Sequence, residues 1–289
     1  MATEATRPRE SPLGILVRGM LRRRSSRVAA ALLGVIIVVG VLAPLLAPYD
    51  PAAQPDIVAL KDLPPSLAHP FGTDPYSRDV LSRVLYGARL SLTIGILATI
   101  VSLTLGVVYG AAAGYLGGIV DAVMMRVLDA LLSIPRLLLV LGVLVAWPHL
   151  SIGALILFLG LTGWFGLSRI VRGQVLALKH AEFVTAAQAL GASRRRILAR
   201  HLLPNIVSPV AVAATLGVAH VIVLEAGLSY LGIGVPPPLA SWGNIIQDGV
   251  DQISTLWWLS LFPGLFMVLT VMTLNILGEA LRDSYERRS

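Results

Sequence analysis

The chain has 289 residues, 56% of them hydrophobic and 13% charged, with a formal net charge of +7 and no cysteine. A mean hydropathy of +0.79 excludes an ordinary soluble domain and places the chain in lipid, and the missing cysteine excludes disulfides, thiolate metal sites and cysteine nucleophiles. The basic balance points to membrane topology and away from nucleic acid, because seven of the 23 Lys and Arg precede Val28, seven lie between Arg169 and His201, and three follow Leu281.

Residues 1–27 form a basic amphipathic segment. Leu13, Leu16, Val17, Met20 and Leu21 fall on one helical face, with Ser11 able to cap and Pro12 at the first helical position. Such a helix lies on the cytoplasmic surface of the membrane, drawn to anionic lipid. The apolar run 28–47 exceeds the apolar region of a signal peptide, about 7 to 15 residues, and reads as an uncleaved first span.

A bilayer core needs about 20 apolar residues per helix, and that template fits near 28–47, 91–115, 122–147, 151–168, 206–230 and 257–280. Six spans make an all-α membrane protein with both termini on one side. The arginine-rich ends make that side cytoplasmic, and the basic loop 169–205 and the tail 282–289 lie there too. Segment 48–90 carries Lys61, Arg78, Arg83 and Arg89 against Asp50, Asp56, Asp62, Asp74 and Asp79, a net of 4 − 5 = −1, and belongs outside. Within it Asp74 can cap a helix with Pro75 at its first position. Val80, Leu81, Val84, Leu85 and Ala88 then form an apolar face and Asp79 pairs with Arg83, which describes a helix on the outer membrane surface. The core of the membrane domain runs over 91–281.

The second span carries Ser102, Gly106, Gly110, Gly114 and Gly118 at intervals of four, so one face is nearly bare backbone for a close helix neighbour. In or near the third span lie Asp121, Arg126, Asp129, Pro135 and Arg136. Arg126 and Asp129 can pair at i, i+3. Arg136 either snorkels toward the cytoplasm or faces a polar cavity. Between the fourth and fifth spans, Phe183, Ala187 and Leu190 share a face of a short helix that Gly191 ends. Ser193 can cap a second helix that Pro204 closes from beyond. A bare, apolar face of this kind suits a close protein partner, although a helix lying on lipid also tolerates one.

This loop resembles the cytoplasmic signature of the permeases of ATP-binding-cassette importers: Glu-Ala-Ala, three residues, Gly, nine residues, Ile-x-Leu-Pro. Ala186 and Ala187 match the alanine pair, Gly191 the glycine and Leu203-Pro204 the end, while Thr185 replaces Glu and His201 replaces Ile. Two further stretches, His69-Pro70-Phe71-Gly72-Thr73-Asp74 running to Arg89 and Glu225-Ala226-Gly227-Leu228-Ser229-Tyr230-Leu231-Gly232 running to Asn244, are similar to the dipeptide and oligopeptide branch. Ser77 stands where that branch usually has Gly. The resemblance covers roughly Arg22 to the C-terminus.

What it implies is a type I importer permease fold with six transmembrane helices, in a bacterial cell membrane, forming half of a translocation pathway for di- and oligopeptides. The implied partners are a homologous second permease in a heterodimer, two ATP-binding subunits that hold ATP and Mg, and an extracytoplasmic substrate-binding protein. Thr185, Ala186, Ala187, Gly191, Ala192 and Pro204 would then be the docking residues of a coupling helix. Glu225, His220, Ser229, Arg136, Trp242 and Asn244 are the pathway or gate candidates, since an ionisable group in a span is a pathway candidate by default. For Glu225 a packing role near the interface stands as an equal reading. Relatives in this branch carry nickel, glutathione and other small solutes, and the residues do not separate those cargoes.

No cofactor or metal site is expected on this chain, and no catalytic residue. The only lysines, Lys61 and Lys179, lack the Gly-x-x-x-x-Gly-Lys-Ser/Thr context of a phosphate-binding loop, and neither His-Glu-x-x-His nor Gly-x-Ser-x-Gly occurs. An ion-coupled secondary transporter is the rival from another class. It would rest on Glu225 alone, and it expects internal repeats that are not evident.

Overall fold

The computed structural model describes residues 23–147 and 150–286, and every named element among them is helical. The predicted surface helix around Leu13 and Leu21, together with Arg287 and Arg288, lies outside the described residues. In chain order the helices are α1 (Arg24–Val41), α2 (Ala43–Leu46), α3 (Val80–Leu116), α4 (Gly118–Leu132), α5 (Arg136–Ala146), α6 (Ile152–Leu178), α7 (Glu182–Ala189), α8 (Arg194–Ile197), α9 (Val207–Tyr230), α10 (Trp242–Gly249) and α11 (Trp258–Glu286).

Five stretches are long and apolar enough to cross a bilayer, namely α1, α3, α6, the run ending in α9, and α11; α4 and α5, bent by 71° at their junction, supply a sixth crossing. The sequence suggests one continuous span over 122–147, and the break has a simple cause. Pro135 has no N–H to give and its ring disfavours the α conformation at Ile134, so the chain leaves the helix at Ser133 and re-enters at Arg136.

The segment expected to form a separate surface helix is instead the start of α3. Asp79, not Asp74, is the cap: its Oδ2 accepts from the Ser82 backbone N–H at 2.7 Å, and His69 Nδ1 lies 2.9 Å from its other oxygen. The Asp79–Arg83 pair does not form. From Val80 the helix runs 37 residues without interruption, about 55 Å at 1.5 Å per residue, well beyond a bilayer core of about 30 Å.

Glycine sets how these helices meet. A Cβ at Gly110 would lie 2.3 Å from the Ser168 carbonyl oxygen, one at Gly114 2.9 Å from the Arg172 carbonyl oxygen, and one at Gly106 2.7 Å from Leu167 Cδ2. α6 answers with Gly160, whose Cβ would fall 2.5 Å from Val101 Cβ. Residue numbers rise together along both helices, so α3 and α6 run parallel and the α4–α5 crossing returns between them. Lipid tails are as apolar as leucine, so this backbone contact, not hydrophobic burial, holds the pair together. Gly118 is not part of it. α3 ends at Leu116, and Gly118 opens α4 with φ +56° and nothing within 4 Å of its Cβ position.

α9 runs antiparallel to α3, with Gly95 against Ile222 and Gly217 against Thr99. α11 runs antiparallel to α9, with Gly278 against Leu216. Arg23 and Asp283 form a 2.7 Å ion pair that ties the start of α1 to the end of α11. One end of the bundle therefore gathers both described chain ends and residues 179–206, and the opposite end gathers 47–79 and 231–257.

The fourth span is longer than its apolar core. α6 continues past Ser168 to Leu178 because its arginines have partners on α4: Arg172 Nε and Nη2 meet the two Asp121 oxygens at 2.5 and 2.6 Å, and Arg169 pairs with Asp129. Asp129 is thus bound across helices and not to Arg126 at i, i+3.

Candidate functional site

The coupling segment is built from its ending inward. α7 stops in a left-handed glycine motif: Gly191 has φ +76°, its N–H donates to Gln188 O at 2.9 Å, and the Ala192 N–H donates to Ala187 O at 3.0 Å. Both bonds satisfy carbonyls that the helix end would otherwise orphan. Ser193 then caps the next turn by accepting from the Arg196 N–H. Pro204 does not close that helix. A π-helical turn over Leu198–Leu202 and a 3₁₀ turn over Leu203–Ile206 carry the chain into α9, and the widened turn takes up the proline's missing donor.

The two faces of α7 differ. Val184 is buried with Val171, Val175, Ile197 and Leu202, and Ala187 is buried as well. Phe183 and Leu190 point outward, Leu190 at 88% exposure. Thr185, Ala186, Gly191 and Pro204 are exposed as well, and Ala192 is half-buried against the inner cluster. The sequence reading puts Phe183, Ala187 and Leu190 on one face. The structure replaces Ala187 by Ala186 there, a spacing of three then four residues from Phe183 to Leu190. The result is a small apolar knob at the end of the bundle where the chain ends meet, flanked by Arg194, Arg195 and Arg196.

The pathway candidates fall into three groups. Glu225 has no exposed surface; its oxygens accept from Ser229 Oγ at 2.6 Å and Ser91 Oγ at 3.2 Å, which joins α9 to α3. Trp242 is also fully enclosed, donating from Nε1 to Val84 O and packing on Gly87. Ser229 and Asn244 line a cavity of about 580 Å³ at the end of the bundle away from the chain termini. Asn244 is held there as half of a capping box with Ser241.

That cavity has a polar wall of residues not singled out from the sequence as pathway groups. Asp74, fully buried, accepts from Arg78 Nε at 2.6 Å and from Arg83 Nη1; both guanidiniums also reach Asp248, Arg78 at 2.8 Å and Arg83 at 2.6 Å. Two cations and two anions balance, as burial requires. The opposite signs in 74–83 are readable from sequence, but nothing local announces Asp248, which lies 165 residues from Arg83.

Arg136 and His220 form the third group, at mid-depth. Arg136 Nη2 donates to Leu159 O at 2.8 Å and its Nε reaches Thr162 Oγ1 at 3.4 Å. The side chain thus runs sideways onto α6 and does not snorkel. His220 is exposed on α9.

Two family models match the chain. One, described as the binding-protein-dependent transport system inner membrane component, covers residues 106–289, and the other, the N-terminal transmembrane domain of oligopeptide transport permease C, covers residues 11–65. The chain belongs to the binding-protein-dependent transport permeases. It is 41% identical over 282 residues to a putative peptide transport system permease protein of Brucella suis, spanning 96% of this chain and 93% of that one. It is 39% identical over 288 residues to the oligopeptide transport system permease protein of Bacillus subtilis, spanning 99% and 93%. The dipeptide transport system permease protein of the same species is 40% identical over 269 residues, spanning 92% and 83%. This permease is a multi-pass inner-membrane transport component, which removes the ion-coupled rival.

Proposed function

We propose that this permease forms half of the translocation pathway of a di- or oligopeptide importer and is driven by ATP hydrolysed, with Mg, in separate subunits that dock on α7. A second, homologous permease completes the pathway, and an external binding protein delivers the peptide. The peptide reading rests on the names of relatives that match over nearly the whole length.

The observation that carries the docking reading is the knob itself. Phe183, Ala186 and Leu190 stand exposed beside the left-handed Gly191, on the end of the bundle that also holds Arg23, the Arg194–Arg196 run and Asp283. The positive-inside bias makes that end cytoplasmic. ATP binding then draws two docked α7 segments together and rocks the permease halves between inward-open and outward-open arrangements.

The test is Gly191→Arg against Gly191→Asn. Nothing lies within 4 Å of a Cβ at Gly191, so arginine fits within this chain and its bulk and charge fall on the docked partner. Asparagine tolerates the left-handed conformation and controls for backbone strain. The arginine variant is expected to insert normally, lose co-purification with the ATPase subunits and lose uptake, while the asparagine variant retains both. Normal uptake by Gly191→Arg rejects the docking site. A panel of peptides, nickel and glutathione in the ATPase assay decides the cargo.

A further inference from the structure

Arg136 is a guanidinium without an anion. Among the described residues no carboxylate lies within ion-pair distance of it, whereas Arg78, Arg83 and Arg172, the other described arginines that are not exposed, each have one. Its protein partners are a backbone carbonyl and a hydroxyl, both on α6. Neither neutralises charge, and among the described residues no hydrogen bond occupies Nη1.

Its depth makes this costly. Leu159 and Thr162 lie 7 and 10 residues into α6 from Ile152, about 10 to 15 Å along the axis. Ser102, which shares Gly163 with the guanidinium, lies 14 residues before the end of α3, about 21 Å. The charge is therefore near the middle of the bundle's length, at the first residue of α5, where the crossing is broken by 71°. Half-helices broken at mid-membrane are where transporters gather binding groups, and a charge at this depth faces a wet cavity or a partner, not acyl chains. The side chain is only half-buried.

We infer that Arg136 is a cargo-binding residue, held from behind by Leu159 O and Thr162 and presenting its free donors to the C-terminal carboxylate of a peptide in transit. The inference rests on the peptide reading above. A free peptide carries that carboxylate whatever its side chains, so one guanidinium at a fixed depth serves many sequences. A carboxylate from the second permease would satisfy the same charge, and the test separates the two.

The assay is ATPase stimulation of the reconstituted complex by a peptide and by the same peptide amidated at its C-terminus, each at saturating binding protein and each normalised to that variant's own unstimulated rate. Wild type is expected to favour the acid over the amide by about tenfold or more, the scale of a charge-assisted hydrogen bond. Arg136→Gln should bring the ratio close to one by losing stimulation by the acid alone. Arg136→Lys, which keeps charge without the two-pronged geometry, should fall several-fold short of wild type, and it carries the comparison if the glutamine variant does not assemble. A wild-type ratio in either variant, no discrimination by wild type, or an equal loss for acid and amide overturns the inference; the last outcome assigns the guanidinium to the partner chain. Failure of every peptide to stimulate wild type overturns the peptide reading itself.

Discussion

An alanine series along α3 puts numbers on the α3–α6 contact. In a helix, alanine is favoured over glycine by about 1 kcal/mol, so Gly→Ala stabilises wherever a methyl group fits. At Gly110 it does not fit: the new carbon would sit 2.3 Å from a backbone oxygen and 2.9 Å from Val171 Cβ, and neither can step aside without parting the helices. Overpacking costs about 1 to 3 kcal/mol, occasionally more, and two unyielding contacts put Gly110 at the upper end, so after the helix gain of about 1 kcal/mol Gly110→Ala should lose about 2 kcal/mol net, roughly a 30-fold fall in the folding equilibrium. Gly114→Ala, at 2.9 Å from a backbone oxygen, should lose less. Gly106→Ala meets Leu167 at Cδ2, 2.7 Å, and at Cβ, 3.0 Å; a rotamer change relieves the first and a shift of a few tenths of an ångström the second, so the net should lie within about 1 kcal/mol of zero. Gly118→Ala makes no contact and feels only its φ of +56°, at about 1 kcal/mol. The measurement is the unfolding midpoint of the purified permease in a denaturing-detergent titration. A Gly110→Ala protein as stable as wild type, or one more stable than Gly106→Ala, refutes the claim that backbone contact binds the two helices.

Asp74→Ala leaves Arg78 and Arg83 sharing Asp248 and should cost about 3 to 5 kcal/mol in the same titration; a change under about 1 kcal/mol would show that the cluster adds little. Asp79→Ala removes the α3 cap and should cost about 1 to 2 kcal/mol, most of it restored by Asp79→Asn, which still caps. Glu225→Gln keeps an acceptor for Ser229 and should retain uptake, whereas Glu225→Leu orphans two buried hydroxyls at about 1 to 3 kcal/mol. Loss of uptake in Glu225→Gln at unchanged stability would instead place the carboxylate in the pathway.

The six crossings are legible in the sequence because apolar runs of bilayer length have few other uses, and the close approach at Gly106, Gly110 and Gly114 is legible because small residues every fourth position share a helix face. Element ends are harder. The sequence offers Asp74 as the cap of a helix through Val84 and Asp79 as the partner of Arg83; the structure exchanges the roles, since Asp74 holds Arg78 and Arg83 together with the distant Asp248 and the cap falls to Asp79. The same limit hides Asp121–Arg172 and Asp129–Arg169, since a local rule offers Arg126 to Asp129 and cannot see α6. Pro204 reads as a stop, and only the wider turn before it lets the helix go on. For α7, the glycine ending is local chemistry and readable, but which alanine faces inward depends on the parts of the chain that α7 packs against, which its own sequence does not carry.

The seating of α7 has a mechanical consequence. Val184 is buried in one cluster with Val171 and Val175 of α6, and over the same stretch the Ser168 and Arg172 carbonyls of α6 lie against the bare Gly110 and Gly114 of α3. Close-packed matter yields little before it moves as a whole. A shove delivered to Leu190 therefore has no soft layer in which to dissipate. It arrives about 20 Å deeper in the bundle, at the level of Gly160 and Arg136, as displacement of two stiff rods together.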